Sequence, residues 1–193
     1  MSQKFQARDV PVSILLECHS GNTGLTEEEI YQRIEVEGPR YEVLSASTEA
    51  ETRLGVIPKC MLNGKMLEVF EDREGILVIR NGKAGTTFYL DKGKYAITDH
   101  AYILSLKTDC PYKVSLKWLM VQYRQTFLSY SSGADNATWN MTGFFEEAKI
   151  DIPDYSEQEE IVRDYDKLQS LKASLMALEN RIDHLLNYQV IPD

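Results

Sequence analysis

From Ser156 to Tyr188 the chain contains neither proline nor glycine, and within that stretch Ile161, Leu168, Leu175 and Ile182 recur every seven residues. Leu171, Leu178 and Leu185 each follow one of these by three positions, which completes the a and d positions of a heptad repeat. Asp164 is the polar exception on that seam, with Tyr165 beside it. At 1.5 Å per residue the predicted helix is roughly 50 Å long. Pro153 closes what precedes it, and Ser156 with Glu159 has the spacing of a capping box. A stripe this narrow suits a partner helix better than a globular surface, which needs a wider apolar face. The expected division is a globular domain over residues 1–152 and a spacer or dimerisation helix over 153–193, with Ile161, Leu168, Leu171, Leu175, Leu178, Ile182 and Leu185 at the interface.

The first part mixes helical and strand patterns, so the fold class is α+β. Thr26 and Glu29 form a second capping-box spacing that opens a helix over 27–34. Leu116, Leu119, Met120, Tyr123 and Phe127 at helical spacing predict a core-facing helix over about 115–128. Strands are expected over 41–45, 76–79, 87–90, 94–97 and 101–106, with turns at Asn81-Gly82 and Asp91-Lys92-Gly93.

Charge decides which functions need weighing. The net charge is -9, but it is unevenly spread: residues 1–52 carry -6, residues 151–193 carry -6, and residues 53–150 carry +3. Attraction between exposed charges fades beyond a Debye length of about 10 Å, so a local face rather than the sum governs binding to a polyanion. The middle of the chain can face DNA, although a protein gripping several phosphates unaided should carry a denser Lys/Arg stripe. The apolar run over 10–16 is broken by Pro11 and Ser13, which fits neither a signal peptide nor a membrane span. Cys18, Cys60 and Cys110 have neither disulfide-framework nor metal-ligand spacing, so the cytosol is the expected compartment and no metal or other cofactor is expected.

Four catalytic chemistries have local motifs that can be compared with this sequence. Gly82-Lys83 superficially resembles a phosphate-binding P-loop, but Leu77 stands where the first glycine belongs and Ala84 where the Ser/Thr belongs. Glu147-Ala148-Lys149, with an upstream carboxylate such as Asp135, has a form seen in metal-dependent nucleases, yet the preceding Pro-Asp is missing. The adenine-methyltransferase loop is absent, since residues 151–155 read DIPDY, and no dinucleotide-binding glycine fingerprint follows any strand. A Ser or Cys nucleophile has no local signature. The sequence therefore contains no persuasive active site.

Several stretches together resemble one family, the specificity subunits of type I restriction-modification systems, in the form of one target-recognition domain with its spacer helix. GPRYEVLSASTEAETRLGVIPK looks like the family's Tyr-x-Val-x-Ser block. GILVIRNGKAGTTFYL followed by KYAITDHAYILSL resembles its strand, Arg-x-Gly-x-x-Gly loop and next strand, and NATWNMTGFFEEAKIDIPDYSEQEEIV resembles the segment leading into the long helix. The family's usual chain is about twice as long, with two recognition domains and two helices in an antiparallel coiled coil. The resemblance thus implies a half-sized, non-catalytic specificity subunit whose helix forms an antiparallel coiled coil with a partner, as a homodimer. It implies double-stranded DNA as ligand, with a bipartite target, and methyltransferase and possibly restriction subunits as further partners; no membrane is implied. The expected DNA contacts are Ser45, Ser47, Thr48, Arg80, Lys83, Thr86, Asn136, Thr138, Trp139 and Asn140. The competing expectation from the acidic composition and the seam alone is a coiled-coil adaptor that never touches DNA, and the third is the metal-dependent nuclease.

Overall fold

The computed structural model describes residues 5–33, 37–46, 53–133 and 137–188. Two four-stranded sheets stack with a shared core between them. The first has strand order β4-β3-β10-β7, built from β3 (Arg40–Leu44), β4 (Arg53–Pro58), β7 (Phe70–Glu71) and β10 (Lys94–Ile97). The second has order β2-β11-β8-β9, from β2 (Leu16–Ser20), β8 (Gly75–Ile79), β9 (Thr87–Leu90) and β11 (Ala101–Leu106). Two-stranded ribbons add β1 (Phe5–Pro11) on β12 (Lys149–Pro153), and β5 (Met61–Leu62) on β6 (Lys65–Met66).

The alternation of strand side chains explains the layering. In β8, Leu77 and Ile79 point into the core shared by the sheets, joining Leu44, Ile97 and Ile103, while Ile76 and Val78 point to the opposite face. That outer face is covered by α1 (Val12–Leu15), α3 (Leu116–Gln122), α4 (Arg124–Ser129) and α5 (Met141–Glu147), with Trp118, Phe127, Trp139 and Phe144 as the main fillers. A strand buried on both faces has no polar side, so β8 reads as an unbroken apolar run. The first sheet buries Tyr41, Val43 and Ala96 under α2 (Glu27–Gln32) and its neighbours.

Three local expectations need correction. The helix over 115–128 is two helices, bent at Tyr123, whose φ is -105° and ψ 20°. The Tyr123 hydroxyl donates to the Asp151 carbonyl at 2.9 Å and accepts from the Asp151 amide at 2.8 Å, pinning that turn to β12. The long helix, α6 (Tyr155–Tyr188), begins one residue before Ser156, so Ser156 is not its cap; the Glu157 and Gln158 amides instead donate to the Asp154 carbonyl. At α2 only half of the capping box forms, with Thr26 accepting from the Glu29 amide while the Glu29 carboxylate pairs with Arg33.

The start of α6 is fastened by buried polar bonds. Gln158 is fully buried, accepts from the Ser115 amide at 2.8 Å, and donates to the carbonyls of Lys113 and Pro153 at 3.0 Å each. Gln6 donates to the same two carbonyls at 3.0 and 2.9 Å. Lys117 pairs with Asp166 at 2.7 Å, and Ile161, Val162 and Tyr165 pack on the core. Beyond that point the helix leaves the domain. Leu168, Leu171, Leu175, Leu178, Ile182 and Leu185 are 56–64% exposed, an apolar row that water would not otherwise tolerate so densely. No helix among the described residues is long and apolar enough to cross a membrane.

Candidate nucleic-acid interface

Four loops meet where β3, β8 and β10 end and β11 begins. The loop after β8 is not the two-residue turn that Asn81-Gly82 predicts: it spans residues 80–86, with positive φ at Gly82 (83°) and Gly85 (80°). A Cβ at Gly85 would lie 2.7 Å from the Phe127 carbonyl oxygen, so this glycine lets the loop lie flat on α4. The Gly82 amide donates to the Ala137 carbonyl at 3.0 Å, and Asn81 bridges to Thr138, so this loop docks against the one leading into α5. Arg80 bonds its amide to the His100 carbonyl at 2.9 Å, which joins the β10–β11 loop to the same cluster. Ser45 at the end of β3 shares a hydroxyl hydrogen bond of 3.0 Å with the buried Thr98.

The backbone gives a second reason against nucleotide binding. The amides of Arg80, Gly82, Gly85 and Thr86 donate to protein carbonyls, so this loop does not present the run of free NH groups that wraps a phosphate. The metal-dependent reading fares no better among the described residues, where no three His, Cys, Asp or Glu side chains gather to hold an ion; Asp135 lies outside them. A Ser, His and carboxylate do converge at Ser105, His19 and Glu17. However, Ser105 is buried mid-strand and donates to Glu17 at 3.1 Å, and His19 Nε2, 3.0 Å from the Ser105 hydroxyl, also lies 3.2 Å from Arg73 Nη2. Burial and then the Arg73 charge hold the His19 imidazole below its ordinary pKa; Glu17 is lowered too, because hydrogen bonds from Arg73 and Ser105 outweigh the effect of burial. This is a structural polar network, with no activated hydroxyl.

The expected contact residues divide by what surrounds them. Lys83 is exposed at the loop tip, Thr86 is half-buried behind it, and Thr138 is exposed across from Asn81. Arg80 lies at the loop's base: its guanidinium is 5.6 Å from the Tyr102 ring centroid, with Nη1 donating to the Asp99 carbonyl at 3.2 Å. Asn140 is exposed, but its side chain caps α5 by accepting from the Gly143 amide at 3.0 Å. Trp139 is a correction. It is 2% exposed, donates its indole NH to the Phe127 carbonyl at 2.9 Å and packs on Phe127, Phe144 and Tyr102, so its ring is a buttress under the loops. Ser47, Thr48 and Asn136 lie outside the described residues.

Two residues absent from the sequence-based set belong to this surface. His100, with a side chain 57% exposed, has Nδ1 3.1 Å from Asn81 Nδ2. The Thr138 hydroxyl donates to Asn81 Oδ1 at 3.4 Å, which turns the amide nitrogen of Asn81 toward the imidazole. Nδ1 of His100 then faces the Asn81 amide nitrogen, and its Nε2 lies 3.8 Å from Asp99 Oδ1. In the sequence Asn81 carries only a turn signal, and Asp99-His100 reads as a polar pair in or near a strand rather than as a catalytic base.

Comparison with known proteins agrees with this architecture. The profile of the type I restriction modification DNA specificity domain matches residues 37–187. No curated protein sequence matches the chain. Among solved structures, the S subunit of a type I restriction-modification system from M. genitalium superposes with a TM-score of 0.58 at 18% identity, over 94% of this chain and 46% of that one. A chain from a structure of type I R-M complex assembly gives 0.65 at 15% identity, covering 93% of this chain and 42% of that one. The HsdS subunit from Thermoanaerobacter tengcongensis gives 0.58 at 14% identity, over 88% and 39%. The present chain spans less than half the length of each of these chains. With most of its length matched by the family profile and its fold shared with these subunits, the chain belongs to the type I restriction modification DNA specificity domain family.

Proposed function

We propose that this chain is a non-catalytic, sequence-reading subunit that brings methyltransferase subunits, and restriction subunits where present, to a two-part DNA target as a homodimer. The observation that carries the DNA reading is the convergence of Asn81, Lys83, His100 and Thr138 from three separate loops on one exposed end of the domain. Each polar type has a counterpart in a duplex: lysine for phosphate or guanine, asparagine for adenine, and an imidazole NH or hydroxyl for base acceptors. Arg80, Ser45, Thr86 and Asn140 shape the surface, and Ser47, Thr48 and Asn136 are proposed as further contacts. The modest charge of this surface fits a division of labour in which partner subunits supply most phosphate contacts. The homodimer follows from the exposed seam of α6, and two recognition domains at opposite ends of an antiparallel pair would read a palindromic target around a fixed gap.

The test is a gel shift on genomic DNA fragments, with and without the methyltransferase encoded beside this chain, followed by mapping of methylated bases in the host. A two-part palindromic motif that disappears when this chain is deleted is the expected result. Methylation that keeps its sequence without the chain would overturn the proposal.

A further inference from the structure

We infer that two copies pair along α6 antiparallel in one register, with the two-fold axis crossing between Met176 and Ala177 and Lys172 of each copy meeting Glu179 of the other. This rests on the antiparallel homodimer reading above and adds its register and the charges that select it. In an antiparallel pair each a residue faces a d residue of the second copy. Placing Leu168 opposite Leu185 puts Leu171 opposite Ile182 and Leu175 opposite Leu178, so all six exposed seam residues close into apolar layers. Sliding by one heptad in one direction brings Asp164 against Ile182; sliding in the other leaves Leu168 and Leu171 beyond the second copy's last apolar layer. Only the first register buries the whole row.

The flanks decide the direction. In an antiparallel pair, e residues face e residues, which sets Lys172 beside Glu179 twice, once on each side of the axis. The same rule sets Leu186, 61% exposed and off the seam, beside Tyr165 of the second copy at the point where that helix joins its own domain. A parallel pair would instead bring g against e and put Lys167 beside Lys172 on both flanks. Two attractive contacts are thus exchanged for two repulsive ones when the direction reverses.

Sedimentation equilibrium of the full chain at low salt tests this, because the two directions predict opposite signs for one substitution. Lys172→Glu faces Glu179 in the antiparallel pair and should weaken dimerisation by about 3- to 10-fold, from electrostatic pairs worth a few tenths of a kcal/mol each and their reversal. Glu179→Lys should weaken it similarly, and the double variant should recover the original affinity. In addition, the Leu168→Cys/Leu185→Cys variant, oxidised and peptide-mapped by mass spectrometry, should give interchain 168–185 links. A dimer tightened by Lys172→Glu, or linked 168–168, would overturn this register while leaving the dimer intact. An unaltered chain that stays monomeric at tens of micromolar would overturn the dimer and the register together.

Discussion

Replacing Gln158 by Ala should loosen the junction between α6 and the recognition domain by an amount that can be worked out from its partners. The side chain is fully buried and makes three hydrogen bonds, to the Ser115 amide and to the Lys113 and Pro153 carbonyls. Both carbonyls keep Gln6 as a donor, so the Ser115 amide is the group left unpaired. An orphaned buried amide costs about 1–3 kcal/mol, and two further ordinary bonds are lost, which together give about 3 kcal/mol. For a chain of this size that lowers Tm by roughly 6–12 °C. Gln158→Met, which fills the space without bonding, should lose nearly as much, since packing is not the main contribution. Gln6 is exposed, so Gln6→Ala alone should cost less than about 1 kcal/mol. The double variant removes both glutamine donors from each of these carbonyls and should therefore lose more than the sum of the two. Scanning calorimetry of the four proteins checks this. A Tm drop under about 3 °C for Gln158→Ala, or strict additivity in the double variant, would refute the account of the junction.

Lys83→Ala should weaken DNA binding about equally on all sequences and reduce the salt slope by about one, whereas His100→Ala should cost about 1–3 kcal/mol on the target alone and relax its sequence preference; binding titrations across salt concentrations separate the two. Inserting one heptad into α6 between Lys172 and Ala173 should lengthen the helix by about 10 Å and widen the gap in the methylated motif by about three base pairs, which motif mapping would read directly. Burial pushes the Cys18 thiol up to about 11, so its reactive thiolate is scarce at pH 8. Iodoacetamide should leave Cys18 unlabelled in the native protein and label it after denaturation, as mass spectrometry would report.

The parts legible in the sequence are those whose pattern is local. The heptad row of α6 declared itself because each exposed leucine repeats at a fixed spacing, and β8 because a strand covered on both faces is apolar throughout. The strands that escaped notice are those whose pattern is interrupted for a tertiary reason. In β2, Leu16-Glu17-Cys18-His19-Ser20 alternates as a strand should, but Glu17 and His19 are turned to the Arg73 network and leave only Leu16 and Cys18 as an apolar signal. In β4, Gly55 adopts φ of 144° where its missing Cβ clears Ile30, and β1 contains Asp9 at φ of 51° together with shifts of register. The interface was only half legible for a similar reason. Lys83 and Thr138 could be picked out as polar loop residues, but the contacts that make Asn81 and His100 one surface join segments far apart in the chain. Trp139 stands in a polar loop of the sequence, and its burial, with the indole NH donating to the Phe127 carbonyl, makes it a buttress.

The pairing of β1 with β12 means that the chain enters and leaves the recognition domain side by side. Everything between Pro11 and Lys149 is a closed excursion from one two-stranded clasp, and α6 departs directly from the far strand. A different set of loops could occupy that excursion without redirecting the helix, and a helix of different length could follow without disturbing the loops. On the proposed function, the sequence recognised and the spacing between its two parts would therefore be separately variable properties, which evolution can alter one at a time.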